Sequence, residues 1–201
     1  MLIGIIGAME VEVQALKDLM DNAELKEISS VVFYRGKING IDTVVAVAGV
    51  GKVNAAVCAQ TMILEYSPDY IINTGVAGGL SEELKIGDVA VADKVTEHDM
   101  DTSPLGDELG FITGIDRVYM PCDEYISGLM YDAAKSVDGI NAVRGTIASG
   151  DQFIASEEQR RFIKKNFNAV AAEMEGAAIG HVCTMNNVKF GVLRAISDGA
   201  N

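Results

Sequence analysis

The chain has 201 residues, 49 % of them apolar, which is enough for one domain with a sizeable core and too apolar for a disordered segment. A formal net charge of −13 argues against DNA or RNA as partners, because phosphate binding needs clustered Lys and Arg. No apolar run approaches the roughly 20 residues that span a bilayer, and no basic stretch precedes the short apolar N-terminus, so neither a membrane span nor a leader is expected. Cys58, Cys122 and Cys183 are scattered and odd in number, with neither zinc spacing nor a disulfide framework. Reduced thiols and a cytoplasmic location are the expectation.

In chain order, the first predicted unit is a strand over residues 2–6 that runs through Gly7 into a helix over 10–21. Met9, Val13, Leu16 and Met20 recur at helical spacing and give that helix one apolar stripe. Glu10 and Glu12 fall in its first turn. A bare glycine loop at such a corner would cradle phosphate on backbone N–H groups. This corner carries negative charge instead, which repels phosphate and can hold and deprotonate a water. Taken alone, Glu12 reads as a first-turn acid favoured by the helix dipole.

Strands over 31–38 and 43–48 follow, joined through Asn39-Gly40, a type I′ hairpin signal. Next come a helix over 53–65, strands over 70–74 and 88–95, and a helix over 123–136. A strand over 142–148, a helix over 156–166, a strand over 169–172, a helix over 174–185 and a strand over 189–196 complete the order. Asp123 and Ser156 are placed as N-caps. Mixed βα units with one hairpin-linked pair predict a three-layer αβα domain with a mixed central sheet.

Several strands run into small residues: Gly7-Ala8, Gly49-Val50-Gly51, Gly75-Val76-Ala77-Gly78-Gly79, Ser149-Gly150 and Ser197-Asp198-Gly199. Any one glycine there reads most simply as a tight turn. Five such corners favour a preformed pocket, since ligands of α/β sheets bind beyond the carboxyl ends of strands and glycine lets them approach the backbone.

Two further acidic sites stand out. Glu173 and Glu175 precede the run Gly176 to Gly180, a helix that is small and apolar on nearly every face and therefore buried. A carboxylate there needs a partner, so the pair marks a cap, a ligand-binding position, or both. Asp198 ends the apolar strand "VLRAIS", as an N-cap or as a proton donor. Carboxylates at three strand ends suit glycosidic cleavage, which needs an acid on the leaving group, a base on water and a stabiliser of the oxocarbenium-like transition state. "HDMD" (98–101) reads as polar loop residues rather than a metal site, His181 as a core or interface histidine, and Lys52 in "GVGK" lacks P-loop spacing.

With these motifs, "GIIGAMEVEV", "AGVGKVNAA", "IINTGVAGGL", "VRGTIASGDQFI", "AEMEGAAIGHVC" and "VLRAISDGAN", the chain resembles the bacterial 5′-methylthioadenosine/S-adenosylhomocysteine nucleosidase family of the nucleoside phosphorylase superfamily. The resemblance implies a nucleoside phosphorylase-like fold, no cofactor and no metal. It implies Glu12 as the base on water and Asp198 as the acid on adenine N7. It implies Glu175 on the ribose 2′- and 3′-hydroxyls with Met174 beside the sugar, Phe153 stacked on adenine and the Ile154 backbone reading its edge. Gly78 is implied beside ribose and base, and Arg194 as an organiser of water and acids. Met9, Val50, Val76 and Glu173 are implied along the same substrate pocket. Val76 stands where some relatives carry Ser.

The resemblance also implies a homodimer in which the 98–114 segment, through Leu105 and Thr113, completes the partner's 5′-alkylthio pocket. Some relatives have a bulkier aromatic or a proline at those two positions. The family continues past "SDGAN" with a helix that closes the pocket, so a single nucleosidase domain over 1–201 without that helix is the expected organisation. A related hydrolase acting on a nucleoside such as futalosine, and a non-catalytic nucleoside-binding domain, are the alternatives. A phosphorylase ranks lower, because no basic pair stands near Glu12.

Overall fold

The computed structural model describes residues 1–198. Gly199, placed in the last strand-end corner, lies outside the described residues. The elements are β1 (Leu2–Gly7), α1 (Glu10–Asp18), β2 (Asp21–Ile28), β3 (Val31–Ile38), β4 (Ile41–Val47), α2 (Lys52–Tyr66) and β5 (Tyr70–Gly79). After them come β6 (Val89–Glu97), a 3₁₀ turn at Ser103–Leu105, β7 (Tyr119–Pro121), α3 (Glu124–Lys135), β8 (Ala142–Ser149), α4 (Glu157–Phe167), β9 (Ala169–Glu173), α5 (Gly176–Asn186) and β10 (Lys189–Asp198).

The strands form one mixed sheet in the order β10-β6-β8-β9-β5-β1-β4-β3-β2, with β7 on β6. β10 also pairs with β5, so β5, β10, β6, β8 and β9 close into a ring from which β1, β4, β3 and β2 extend. Closure works because β5 outlasts its neighbour. β1 pairs only with its first half, through Asn73, and β9 takes the same edge at Gly78 and Gly79. β5 and β9 are antiparallel and touch only near their carboxyl ends. Two parallel groups, β1-β4-β5-β10 and β6-β8-β9, thereby bring strand ends together at one place.

Helices pack on both faces. A Cβ at Gly4 would collide with Met62 of α2, and one at Gly7 with Val13 of α1. Residues an odd number apart in a strand face opposite sides, so α1 and α2 flank β1 from opposite faces. α5 is buried on nearly all sides, as its composition predicts, and Phe190 and Val95 each come within 2.8 Å of where a Gly180 Cβ would lie. The core runs through Ile6, Phe33, Val44, Met62, Ile71, Ile147, Ile179 and Val192.

The predicted caps form: Asp123 accepts from Ile126 N and Ser156 from Gln159 N. Asn39 and Gly40 both have positive φ (50° and 80°), the I′ geometry that joins β3 to β4. The first helix is shorter than predicted, ending at Asp18 rather than 21, and the chain turns at once into β2. That strand was not predicted because nearly every residue of it is exposed, so its hydropathy does not alternate. Its charged side chains suit a sheet edge. The run Gly75 to Gly79, predicted as a turn-like corner, is strand instead.

Candidate active site

The strand ends converge on a cavity of about 210 Å³. Glu12, Glu173, Glu175 and Asp198 all line it. Met9, Val50, Val76, Gly78, Phe153, Ile154 and Met174 supply much of the remaining wall.

Glu12 is fixed by backbone. It sits at the third position of α1 and reaches back over the corner. Oε2 accepts from Ala8 N (2.7 Å) and Met9 N (2.9 Å), and Oε1 accepts from Val76 N (3.0 Å) on β5. The helix-capping reading of this acid is therefore physically realised, and the same carboxylate faces the cavity. A carboxylate has about four lone-pair sites. Three are taken, and the remaining one lies on Oε1. Residue 75 must be glycine for this arrangement, since a Cβ there would strike both Glu12 Oε1 and Arg194 Nη1.

Glu173 and Glu175 divide the labour that the sequence left open. Glu173 is buried, and both its oxygens are occupied. They accept from Ser149 Oγ, from Glu175 N (2.9 Å), from Gly176 N (3.0 and 2.8 Å) and from Arg194 Nη2. Its carboxylate caps α5 and anchors the arginine. Glu175 Oε1 accepts from Gly51 N (2.9 Å), and Oε2 lies 3.4 Å from Arg194 Nη2. Burial, then the charge of Glu173, push the Glu175 carboxyl above its ordinary range, against the opposing pull of Arg194 and the Gly51 N–H. Arg194 is 1 % exposed and also donates to Asn73 Oδ1. It stands behind the cavity wall rather than in it.

Asp198 ends β10 at an irregularity. Ile196 lies opposite Ala77 and Asp198 opposite Gly78, so Ser197 is an extra residue in the strand. Such a bulge bends the strand and re-aims the side chains after it. Ser197 Oγ donates to Asp198 Oδ2 (3.0 Å).

Four of the wall residues are more exposed than apolar side chains usually are: Phe153 at 73 %, Val50 at 49 %, Met9 at 39 % and Val76 at 39 %. Leu105 (83 % exposed) and Thr113 lie outside the cavity of this single chain. Ala8, Ala77 and Ser197, which belong to the strand-end corners expected to form a pocket, line the cavity, and so do Gln152 and Ala172, which the sequence did not point to. A small residue such as Ala172 carries no chemical signal, and Gln152 has no local pattern that marks it. In the "HDMD" segment, Asp99 bonds Lys52, Asp101 bonds Ser103 N, and His98 is buried. Among the described residues no group of three or more His, Cys, Asp or Glu is placed to hold a metal ion.

The chain matches the phosphorylase superfamily over residues 2–201. It is 40 % identical to the 5′-methylthioadenosine/S-adenosylhomocysteine nucleosidase of Shewanella halifaxensis, over all of this chain and 87 % of that protein. The crystal structure of the corresponding Neisseria meningitidis nucleosidase in complex with methylthio-immucillin-A superposes with a TM-score of 0.95 at 36 % identity, covering 99 % of this chain and 86 % of that one. A structure of Helicobacter pylori futalosine hydrolase superposes with a TM-score of 0.93 at 36 % identity, covering 100 % and 85 %. On this likeness over the whole of the given sequence, the chain belongs to the phosphorylase superfamily and, within it, to the 5′-methylthioadenosine/S-adenosylhomocysteine nucleosidases.

Proposed function

We propose that residues 1–201 form one nucleosidase domain that hydrolyses the N-ribosidic bond of 5′-methylthioadenosine and S-adenosylhomocysteine. The products are adenine and the 5-thio-substituted ribose, as methionine salvage requires. The observation that carries this reading is the meeting of Glu12, Glu175 and Asp198 around one largely apolar cavity. Glu12 takes the proton of the attacking water on its open Oε1 site. Glu175 accepts from the ribose hydroxyls while the Gly51 N–H and Arg194 hold it in place. Asp198 protonates N7, so that adenine leaves neutral. Phe153 stacks on the base, the Ile154 backbone reads its edge, and Gly78 lets ribose approach β5. Met9, Val50, Val76 and Met174 receive the sugar and the alkylthio group, whose burial contributes about 0.8 kcal/mol per methylene.

The test is direct. Incubation with 5′-methylthioadenosine is expected to release free adenine at a rate that added phosphate does not change. No release would overturn the proposal, and phosphate-dependent formation of 5-methylthioribose 1-phosphate would replace it with phosphorolysis. The likeness to futalosine hydrolase supports a second substrate of the same reaction class. Hypoxanthine release from futalosine would establish it.

We further propose a cytoplasmic homodimer. Val53 (73 % exposed), Val57 (42 %) and Leu64 (75 %) form a second apolar stripe along α2, close in sequence to Val50 at the cavity. Helical spacing puts the three on one face. A partner on that face would bring its Leu105 and Thr113 towards this cavity. Light scattering is expected to give twice the chain mass, and Leu64→Lys to shift it towards one.

A further inference from the structure

The amino end of α2 holds two segments of the site at once. α2 has no side-chain cap of its own, and its first backbone donors are satisfied from far along the chain. Gly51 N donates to Glu175 Oε1 (2.9 Å), and the next donor, Lys52 N, donates to Asp151 Oδ1 (2.8 Å). Glu175 is the proposed sugar carboxylate. Asp151 opens the segment that carries Gln152, Phe153 and Ile154 into the cavity. That segment has no helix or strand of its own, so its course depends on such contacts.

Asp151 is tied a second time. Its N–H donates to Asp99 Oδ2 (2.9 Å), and Asp99 Oδ1 accepts from Lys52 Nζ (2.7 Å). Lys52 Nζ also donates to Glu97 Oε2 (2.9 Å), whose other oxygen meets His181 Nδ1 (3.0 Å). Lys52 thus grips the 150–154 segment with its backbone directly and with its side chain through Asp99. Position 51 is committed to the same purpose. Gly51 has φ +98°, and a Cβ there would come 3.0 Å from Asp151 Oδ1.

We propose that Asp151 is a positioning residue that sets the base-stacking segment in register with the sugar carboxylate, both being hung on consecutive N–H groups of one helix end. A helix end is stiff, so a fixed spacing between those two N–H groups fixes the spacing between ring and carboxylate. This assignment rests on the nucleosidase reading above. It predicts a binding defect confined to the base half of the substrate.

The experiment compares Asp151→Ala, Asp151→Asn and Asp99→Ala with the wild type. Asn keeps an oxygen acceptor for Lys52 N–H, whereas Ala removes it. Asp151→Ala is expected to raise KM for 5′-methylthioadenosine by about tenfold, the equivalent of one charge-assisted hydrogen bond, with kcat changed less than about threefold. Asp151→Asn should recover most of the loss, and Asp99→Ala should move KM in the same direction. The inhibition constant of adenine should rise with KM, and that of 5-methylthioribose should not. Amide hydrogen exchange at Lys52, whose N–H donates to Asp151, should quicken in Asp151→Ala and remain slow in Asp151→Asn. Equal losses in Ala and Asn variants, a fall in kcat at unchanged KM, or unaltered exchange would each overturn the assignment. The exchange measurement needs no turnover, so it still scores Asp151 if the wild type releases no adenine and the nucleosidase reading itself fails.

Discussion

Glu12→Gln is expected to lower kcat for 5′-methylthioadenosine hydrolysis by about a thousandfold, within the usual range for loss of a general base. The carboxylate receives three backbone N–H groups and keeps one lone pair on Oε1, the site proposed for the water. Glutamine has nearly the same shape, and its oxygen can keep the Ala8 and Met9 donors. Its NH₂ group then faces Val76 N–H, donor against donor, and no basic site remains for the water. The variant therefore loses the base and also one backbone acceptor, at no more than about 1 kcal/mol, because Val76 is 39 % exposed and water can take its N–H. A fall in Tm of roughly 2–4 °C for each kcal/mol should accompany the kinetic loss in a chain of this size. Adenine affinity should change little, because the base contacts proposed above lie on the Phe153 segment and at Asp198. Single-turnover adenine release together with an adenine Kd separates the two effects. A kcat near wild type would remove Glu12 from the mechanism.

Why Glu12 was legible and its partners only partly so follows from where the information lies. A strand, a glycine and a first-turn acid are contiguous in sequence, and α1 does begin at Glu10. β3 spans the predicted residues 31–38, and Asp123 and Ser156 cap as predicted, because those signals act over a few residues. The closed ring of strands was not legible. It depends on β5 continuing through Gly75 to Gly79, a run that reads locally as a turn and is held straight by β10 and β9. β2 was missed for a related reason. Its turn uses Ser29 and Ser30 at φ 53° and 63° in place of the usual Asn-Gly. At the site, the residue types named both Glu173 and Glu175 without saying which was committed to structure, and only the family resemblance set Glu175 on the ribose. That distinction rests on Arg194, Ser149 and Gly51, which are 21, 24 and 124 residues from the carboxylates they meet. The bulge at Ser197 has no local signature either.

That bulge bears on the second large effect. Asp198→Asn is expected to lower kcat for 5′-methylthioadenosine by about 10²- to 10⁴-fold, since asparagine fills the same space and has no proton to give N7. The loss should depend on the leaving group in a way that the Glu12→Gln loss does not. Adenine is a poor leaving group as an anion, so its departure needs the acid. 4-Nitrophenyl 5-methylthioriboside would instead release 4-nitrophenolate, a stable anion that needs no acid. Asp198→Asn should therefore hydrolyse that substrate within about tenfold of the wild type, and Glu12→Gln should remain defective on both. Equal defects of Asp198→Asn on the two substrates would assign Asp198 to holding the sugar or the strand end instead of to proton transfer. The contrast is informative because the two acids are built differently. Glu12 is clamped by three N–H groups from two elements. Asp198 stands past a strand irregularity with Ser197 Oγ on one oxygen. A clamped carboxylate is suited to accept a proton from a small, mobile water. One carried on a re-aimed strand end is suited to meet a ring nitrogen, which the proposed function sets against Phe153 on the segment that Asp151 is proposed to position.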